Sequence, residues 1–492
     1  MFRIVLLISL FAVGALAAQG ERPNIVIFYT DDQNRDQFGF NDGWPTPNMD
    51  RLAAEGLVFK KFYVNTSLCA PSRVALQTGR YASASGAVLR AYPPDQIPFI
   101  LQTLGDEENR PAEAWNLPTT LRDAGYATGI VGKFHLGFLG EREKTTGDTS
   151  LGDPEKMAKL RHNFELAQES AYAGGYTYAE ALYHDNVQPD NFYRDVMKHN
   201  PEWIAWKARE FIEKESAEDN PFFLVVNPTL PHWPPAYAPD EKPFFDSLTS
   251  DPRITAVGLV EGIESGMPSR ESVLERAEEL RGLGIEGKYL PDVIWLDDMI
   301  GAVVQELADA GVKENTLVLV ISDHGGFGKW TNRDHGINSA AMAYWPGRIP
   351  PGTVSSELVQ NVDLAPTLFE IAGTEPAPDA DLHGRSVAHH LLDPSQPSGR
   401  EYVYSEIGFE RAITRADGMK LLVDMAAPDS GRWNPKVGDP ENPKVRLYDL
   451  TNDPGERRNL VDDPEYADEL KELQGLLWKQ SQQLPHAFGQ YK

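Results

Sequence analysis

The sequence predicts an α/β protein: a large, mostly parallel sheet sandwiched by helices, with a smaller C-terminal α+β subdomain of antiparallel sheet plus helix. Three observations carry this. Strand-like and helix-like segments alternate through the first three-quarters of the chain, the pattern of a parallel sheet covered on both faces. Ile25–Thr30 is a continuous apolar run, as expected of a strand buried on both sides. From about Gly373 the pattern changes to short strand signals broken by turn residues.

The elements follow in order. Pro47–Ala54 reads as a helix, with Thr46 as its cap and Gly56 as its stop. Leu57–Val64 reads as a strand, and Pro71–Thr78 as a helix with proline in its first turn and Gly79 at its end. Leu117–Ala124 is helical, Tyr126–Gly132 a strand, Trp203–Glu213 a helix and Phe222–Asn227 a strand. Asp292–Ala310 is a long amphipathic helix leading into the strand Thr316–Ser322; Ala341–Trp345 and the helix Val362–Ala372 close the set. Between them, Glu141–Gln188 is polar and reads as a loop-rich insertion that lines a site. Thr374–Asp381, rich in Pro and Asp, reads as a linker. Beyond it, Tyr402–Ser405, Arg411–Thr414, Lys420–Asp424 and Val445–Tyr448 are short strands, and Pro464–Gln483 is a closing helix. The expected division is therefore residues 18–373 and 374–492, after a leader of residues 1–17.

That leader has three parts: the basic start Met1-Phe2-Arg3, the apolar stretch Ile4 to Ala15, and the small-x-small site Ala15-Leu16-Ala17. This is the pattern of a secretory signal peptide, which implies a secreted or periplasmic protein. No later apolar run approaches the roughly 20 residues that cross a bilayer, so no membrane anchor is expected. Lys and Arg number 46 against 73 Asp and Glu, a net charge of −27. Such a surface repels nucleic acid and anionic membranes. It also repels anionic substrates at long range, so an anion site must bring its own cations. A single cysteine, Cys69, rules out any disulfide within the chain. A lone thiol in an exported protein is an oxidation liability, which points to a role beyond that of a small buried hydrophobe.

In open α/β sheets, ligands sit outside the carboxyl ends of the strands. Asp31 and Asp32 follow the first strand, and Lys133 and His135 follow Tyr126–Gly132. Pro231-His232-Trp233 follows Phe222–Asn227, and Asp323 and His324 follow Thr316–Ser322. Each pair alone is an ordinary turn or cap; together they converge on one rim. Oxygen-rich ligands with one imidazole suit a hard divalent cation, Ca²⁺ or Mg²⁺, better than zinc.

The segment Cys69-Ala70-Pro71-Ser72-Arg73-Val74-Ala75-Leu76-Gln77-Thr78-Gly79-Arg80 matches C-x-P-S-R-x-x-L-x-T-G-R at every fixed position. In this it resembles the formylglycine-dependent (type I) sulfatases of the alkaline-phosphatase-like superfamily. The resemblance extends to Asp31-Asp32, Gly132-Lys133 with His135-Leu136-Gly137, Pro231-His232, and Ser322-Asp323-His324-Gly325. It continues late in the chain through Leu447-Tyr448-Asp449-Leu450, Asp453-Pro454-Gly455-Glu456 and Asn459-Leu460.

The resemblance implies a sulfuric ester hydrolase whose Cys69 is oxidised to formylglycine by a separate maturing enzyme before folding. It implies that Asp31, Asp32, Asp323, His324 and residue 69 hold one divalent cation, Ca²⁺ favoured and Mg²⁺ the alternative. Many relatives carry Asn where His324 stands. One hydroxyl of the hydrated aldehyde would attack sulfur and the other would help expel sulfate. Arg73 resembles the arginine that holds the diol, Lys133 and His135 the pair at nucleophile and sulfate, and His232 a group on sulfate near the leaving oxygen. Lys329, ahead of Asp334, Gly336-Ile337 and Trp345-Pro346-Gly347, occupies the place of the last lysine, with Arg333 its rival. The expected substrate is a sulfated small molecule, with secretion and several Trp residues favouring a sulfated glycan. Two other readings stand beside this one: a formylglycine phosphodiesterase or phosphonate monoester hydrolase, and a non-catalytic sulfated-glycan binding protein.

Other residues read as structural. Arg80 is expected to partner a carbonyl or carboxylate, and Trp115, Trp233 and Trp330 to be core or rim aromatics. The glycosylation sequon Asn65-Thr66-Ser67 is expected to be buried, and His162, His184 and His199 to lie on the surface.

Overall fold

The apolar run near the start of the chain becomes the middle of the main sheet. The computed structural model describes residues 22–84, 116–147, 153–187, 199–235, 264–378, 380–426, 438 and 442–484. The leader and Trp115 lie outside them. Strand β1 (Asn24–Thr30) is buried at every residue because parallel neighbours flank it, β5 (Phe222–Asn227) and β6 (Thr316–Ser322). Outward from β5 lie β3 (Ala127–Lys133) and then β4 (Tyr178–Tyr183), both parallel. Outward from β6 lie β7 (Asn338–Tyr344), the one reversed strand among the described residues of this sheet, then β2 (Leu57–Tyr63) with β8 (Thr353–Ser355) and β9 (Val359–Gln360).

Among the described residues, the helices up to residue 282 are α1 (Pro47–Ala54), α2 (Cys69–Thr78), α3 (Leu117–Asp123), α4 (Pro154–Ala173), α5 (Pro201–Ser216) and α6 (Arg270–Gly282). There follow α7 (Leu290–Asp309), the single turn α8 (Asp334–Ile337), α9 (Leu364–Ile371) and α10 (Ala388–Leu392). One group packs on α7 (α1, α5 and α6), and another on α9 (α2, α3 and α10). The C-terminal strands β10 (Tyr402–Ile407), β11 (Glu410–Arg415), β12 (Met419–Asp424) and β13 (Lys444–Asp449) form a separate antiparallel sheet. Its core, with Leu421, Leu447, Leu473 and Leu477, is closed by α11 (Ala467–Ser481) and reaches Ala75 of α2. Helix α2 thus lies between two hydrophobic cores, and all ten of its residues are buried.

The α/β class and the second sheet are as the sequence predicts; three local readings are corrected. The loop-rich insertion holds a 20-residue helix, α4, and the parallel strand β4. Asp153-Pro154 opens that helix, the Asp153 carboxylate accepting from Glu155 N–H, and Gly174 ends it, so its boundary signals were local. Strand β4, Tyr-Ala-Glu-Ala-Leu-Tyr, has little intrinsic strand preference and is fixed by pairing with β3. The second correction is that α2 starts at Cys69 rather than Pro71. The third is that His184 and His199 are buried, His199 lying 2.7 Å from Thr229 Oγ1 and 2.8 Å from Pro234 O.

Helix α1 is capped from outside its own segment. Asp297 of α7 accepts from the backbone N–H groups of Asn48 (3.0 Å) and Met49 (2.9 Å), where Thr46 provides no side-chain cap. Asp297→Ala leaves these N–H groups without acceptors. It should cost about 2–4 kcal/mol, read as a lowered urea midpoint; an unchanged midpoint would show that water replaces the carboxylate.

Candidate active site

The register of the main sheet sets the site. Thr30 pairs with Ser322 and Gly132 with Asn227, so the carboxyl ends of β1, β6, β3 and β5 lie side by side. The turns after β1 and β6 bond each other: Asp323 N–H donates to Thr30 O (3.0 Å), and Asp32 N–H to Asp323 Oδ1 (3.0 Å). Asp32 takes a left-handed φ of 58° and packs against Gly326, where a Cβ would lie 2.6 Å from Asp32 O. In β3 the pairing shifts between Val131 and Lys133, at Gly132 with φ 91°. A Cβ there would lie 2.0 Å from Asn227 O, so only glycine fits. Bulges of this kind re-aim the next side chain. Lys133 is fully buried and donates to both Asp31 oxygens at 2.8 Å.

Cys69 opens α2, whose cap position Leu68 provides no side-chain acceptor, so the first-turn N–H groups and the helix dipole face the same point. Its Sγ lies 3.3 Å from His324 Nε2, 3.5 Å from Lys329 Nζ and 3.6 Å from Asp32 Oδ1. One turn along, Arg73 donates to Asp323 Oδ2 (2.9 Å) and lies over the Tyr29 ring. Its Nε and Nη1 are buried without a hydrogen-bond partner among the described residues. Lys329 Nζ donates to both Asp32 oxygens (2.9 and 2.8 Å) and lies 3.1 Å from His232 Nε2. The rival cation, Arg333, donates instead to Glu456 O and covers the Tyr448 ring. His232 Nδ1 donates to Trp233 O (2.6 Å), leaving Nε2 as the acceptor towards Lys329.

Burial alone would raise the Asp31 and Asp32 carboxyls. Lys133, His232 and Arg73 around Asp31, and Lys329, His232 and His324 around Asp32, hold both below the usual range. Burial works against a charged His324, yet Asp323 and Asp32 hold its proton well above the usual histidine range. The field at this point therefore favours a cation. Ligand atoms of Asp31, Asp32, Cys69 and His232 lie within 4.8 Å of one another, as do those of Cys69, Asp323 and His324. Hard oxygen donors with an imidazole in such a field fit a divalent cation. Burial pushes the Cys69 thiol up despite Lys133 and Lys329, the opposite of a cysteine activated as a thiolate.

Sequence reasoning missed Asp185 and Arg142. Asp185 lies just beyond β4 as the other site residues lie just beyond their strands, so recognising β4 would have found it. Its Oδ1 is 3.3 Å from His135 Nε2, and its Oδ2 accepts from Arg142 at 2.8 Å. Among the structural readings, Asn65, Thr66 and Ser67 are buried, and Arg80 contacts Asp381 (3.4 Å). Trp233 is 40% exposed beside His232, and Phe327, two residues before Lys329, is 73% exposed.

Buried cations and a helix N-terminus, gathered at the carboxyl edge of a mostly parallel sheet, define a hydrolase acting on oxyanion esters. More narrowly, the chain belongs to the sulfatase family, the sulfuric ester hydrolases, whose sequence profile matches residues 23–374. The N-acetylgalactosamine-6-sulfatase of Canis lupus familiaris is 29% identical over 423 residues, 80% of this chain and 70% of the relative. Arylsulfatase A of Homo sapiens is 29% identical over 513 residues, covering 94% of this chain and 89% of the relative. The fold is shared with BT4656, solved with its substrate D-glucosamine-2-N,6-O-disulfate, at TM-score 0.61 and 20% identity, covering 94% of this chain and 98% of that one. It is also shared with Ps i-CgsB, solved with k-i-k-neocarrahexaose, at TM-score 0.60 and 20% identity, covering 96% and 95%. Among the described residues no helix is long and apolar enough to cross a membrane.

Proposed function

We propose that this protein is a secreted sulfatase of sulfated carbohydrates that works through formylglycine at position 69. The observation that carries this is the setting of Cys69. It is 3% exposed, its thiol is pushed away from ionisation, and Lys133, Lys329, His324 and Arg73 surround it. A thiol so placed is a poor nucleophile, whereas a hydrated aldehyde there offers two hydroxyls. Its burial within a helix also requires a maturing enzyme to act before folding.

Asp31, Asp32, Asp323, His324 and residue 69 would hold a divalent cation, for which the oxygen-rich donor set suits Ca²⁺ or Mg²⁺ and the family resemblance favours Ca²⁺. When bound, it supplies Lewis-acid polarisation and a lowered hydroxyl pKa. The chain's own residues do the rest. Lys133, Lys329 and Arg73 neutralise the sulfate oxygens, and Arg73 orients the nucleophilic residue. His135 takes its proton, Lys329 protonates the leaving alcohol oxygen, and His232, whose Nε2 accepts from Lys329, holds that ammonium at the sulfate. Trp233 and Phe327 offer exposed aromatic faces beside this group to a sugar ring. The sulfated-sugar relatives and the leader at residues 1–17 support a glycan substrate and export.

Activity on position-defined sulfated sugars, run beside a phosphodiester, tests the reading; faster turnover of the phosphodiester would overturn it. Chelation should abolish sulfatase activity and Ca²⁺ or Mg²⁺ should restore it. Full activity in protein shown metal-free by elemental analysis would remove the cation from the scheme.

A further inference from the structure

His135 is held from behind. It follows the β3 bulge at a left-handed φ of 47°, an uncommon conformation for a residue with a side chain, so its surroundings fix its position. Its Nε2 faces Asp185 Oδ1 at 3.3 Å. Both oxygens of that carboxylate are themselves oriented: Oδ1 accepts from Asn186 N–H (2.7 Å) and Oδ2 from Arg142 Nη1 (2.8 Å). A carboxylate only accepts, so the imidazole proton belongs on Nε2. Nδ1 is then the acceptor, and it is buried with no hydrogen-bond partner among the described residues. Lys133, Arg73 and Asp31 also act on the ring electrostatically, which sets it beside the site. Burial pushes the imidazole down to about 3, against the pull of Asp185, so it stands neutral with a lone pair to offer. Asp185 is held below its usual range, because His135 and Arg142 outweigh its burial.

We propose that Asp185, braced by Arg142, is a positioning residue that fixes the His135 tautomer and presents Nδ1 as the proton acceptor for the nucleophile at position 69. It is the arrangement of a carboxylate behind a general-base histidine, built here from the end of β4. An amide at 185 can turn its NH2 towards Nε2 and so favour the wrong tautomer. This rests on His135 acting at the nucleophile, so the test carries both residues.

Asp185→Asn, His135→Ala and the double variant are compared with the mature parent on 4-nitrophenyl sulfate, with thermal midpoints recorded. Asp185→Asn should lower kcat about ten- to hundredfold with KM within about threefold, at a parent-like midpoint. In the His135→Ala background the same change should alter kcat less than about twofold, because its path of action is gone. A parent-like kcat for Asp185→Asn would overturn the inference, as would an equal loss in both backgrounds. Parent-like turnover by His135→Ala would instead show that the assignment of His135 fails, and the inference with it. A mature parent inactive on this ester and on the sulfated sugars alike would overturn the sulfatase reading first.

Discussion

Cys69→Ala should fold, bind metal weakly and show no turnover of any sulfate ester. The side chain is buried at the first position of α2, so losing the sulfur costs about 1 kcal/mol of packing and no backbone hydrogen bond. The catalytic loss is total for a chemical reason. An unmodified thiol that attacked sulfur would be left carrying the sulfuryl group, with no second hydroxyl to expel it. Protein made without a maturing enzyme should therefore carry an intact thiol at position 69 and little activity. Co-expression with one should raise activity in proportion to the aldehyde fraction measured by peptide mass spectrometry. Undiminished turnover from a preparation whose Cys69 is wholly unmodified would overturn the mechanism.

Lys133→Ala and Lys329→Ala should each lower kcat about a hundredfold or more, the loss of about 3 kcal/mol of transition-state charge stabilisation. Both ammonium groups are held in place by carboxylates, Lys133 on Asp31 and Lys329 on Asp32, so each is fixed where the proposed mechanism needs a cation. The net charge of −27 makes these local cations more necessary, since the surface does nothing to draw an anion in. Arg333→Ala provides the contrast. Its guanidinium binds Glu456 O rather than the site, so its effect should appear in stability and leave kcat near the parent value. The reverse result, a dead Arg333→Ala beside an active Lys329→Ala, would move the role of the last cation to residue 333.

Much of the site was legible because its signals are local. Asp31-Asp32, His232 and Asp323-His324 each follow an apolar run buried on both faces, and such runs announce parallel strands. The nucleophile segment is contiguous. Asp185 was not legible, because it follows the one strand of this rim whose sequence does not read as one.

The sequence by itself determined the layered α/β class, the second antiparallel unit, the sulfatase motif at Cys69 and which residues stand at the strand ends. Apolar periodicity, helix-end residues and a contiguous motif act over a few residues, and a single chain displays them. Only the tertiary structure decided that β4 is a strand, because its hydrogen bonds come from β3 rather than from its own preferences. It alone set the bulge that turns Lys133 onto Asp31, the choice of Lys329 over Arg333 at Asp32, and the Asp185–His135 contact. These contacts join residues far apart in sequence, and their geometry is fixed by sheet register and packing, which no local signal carries.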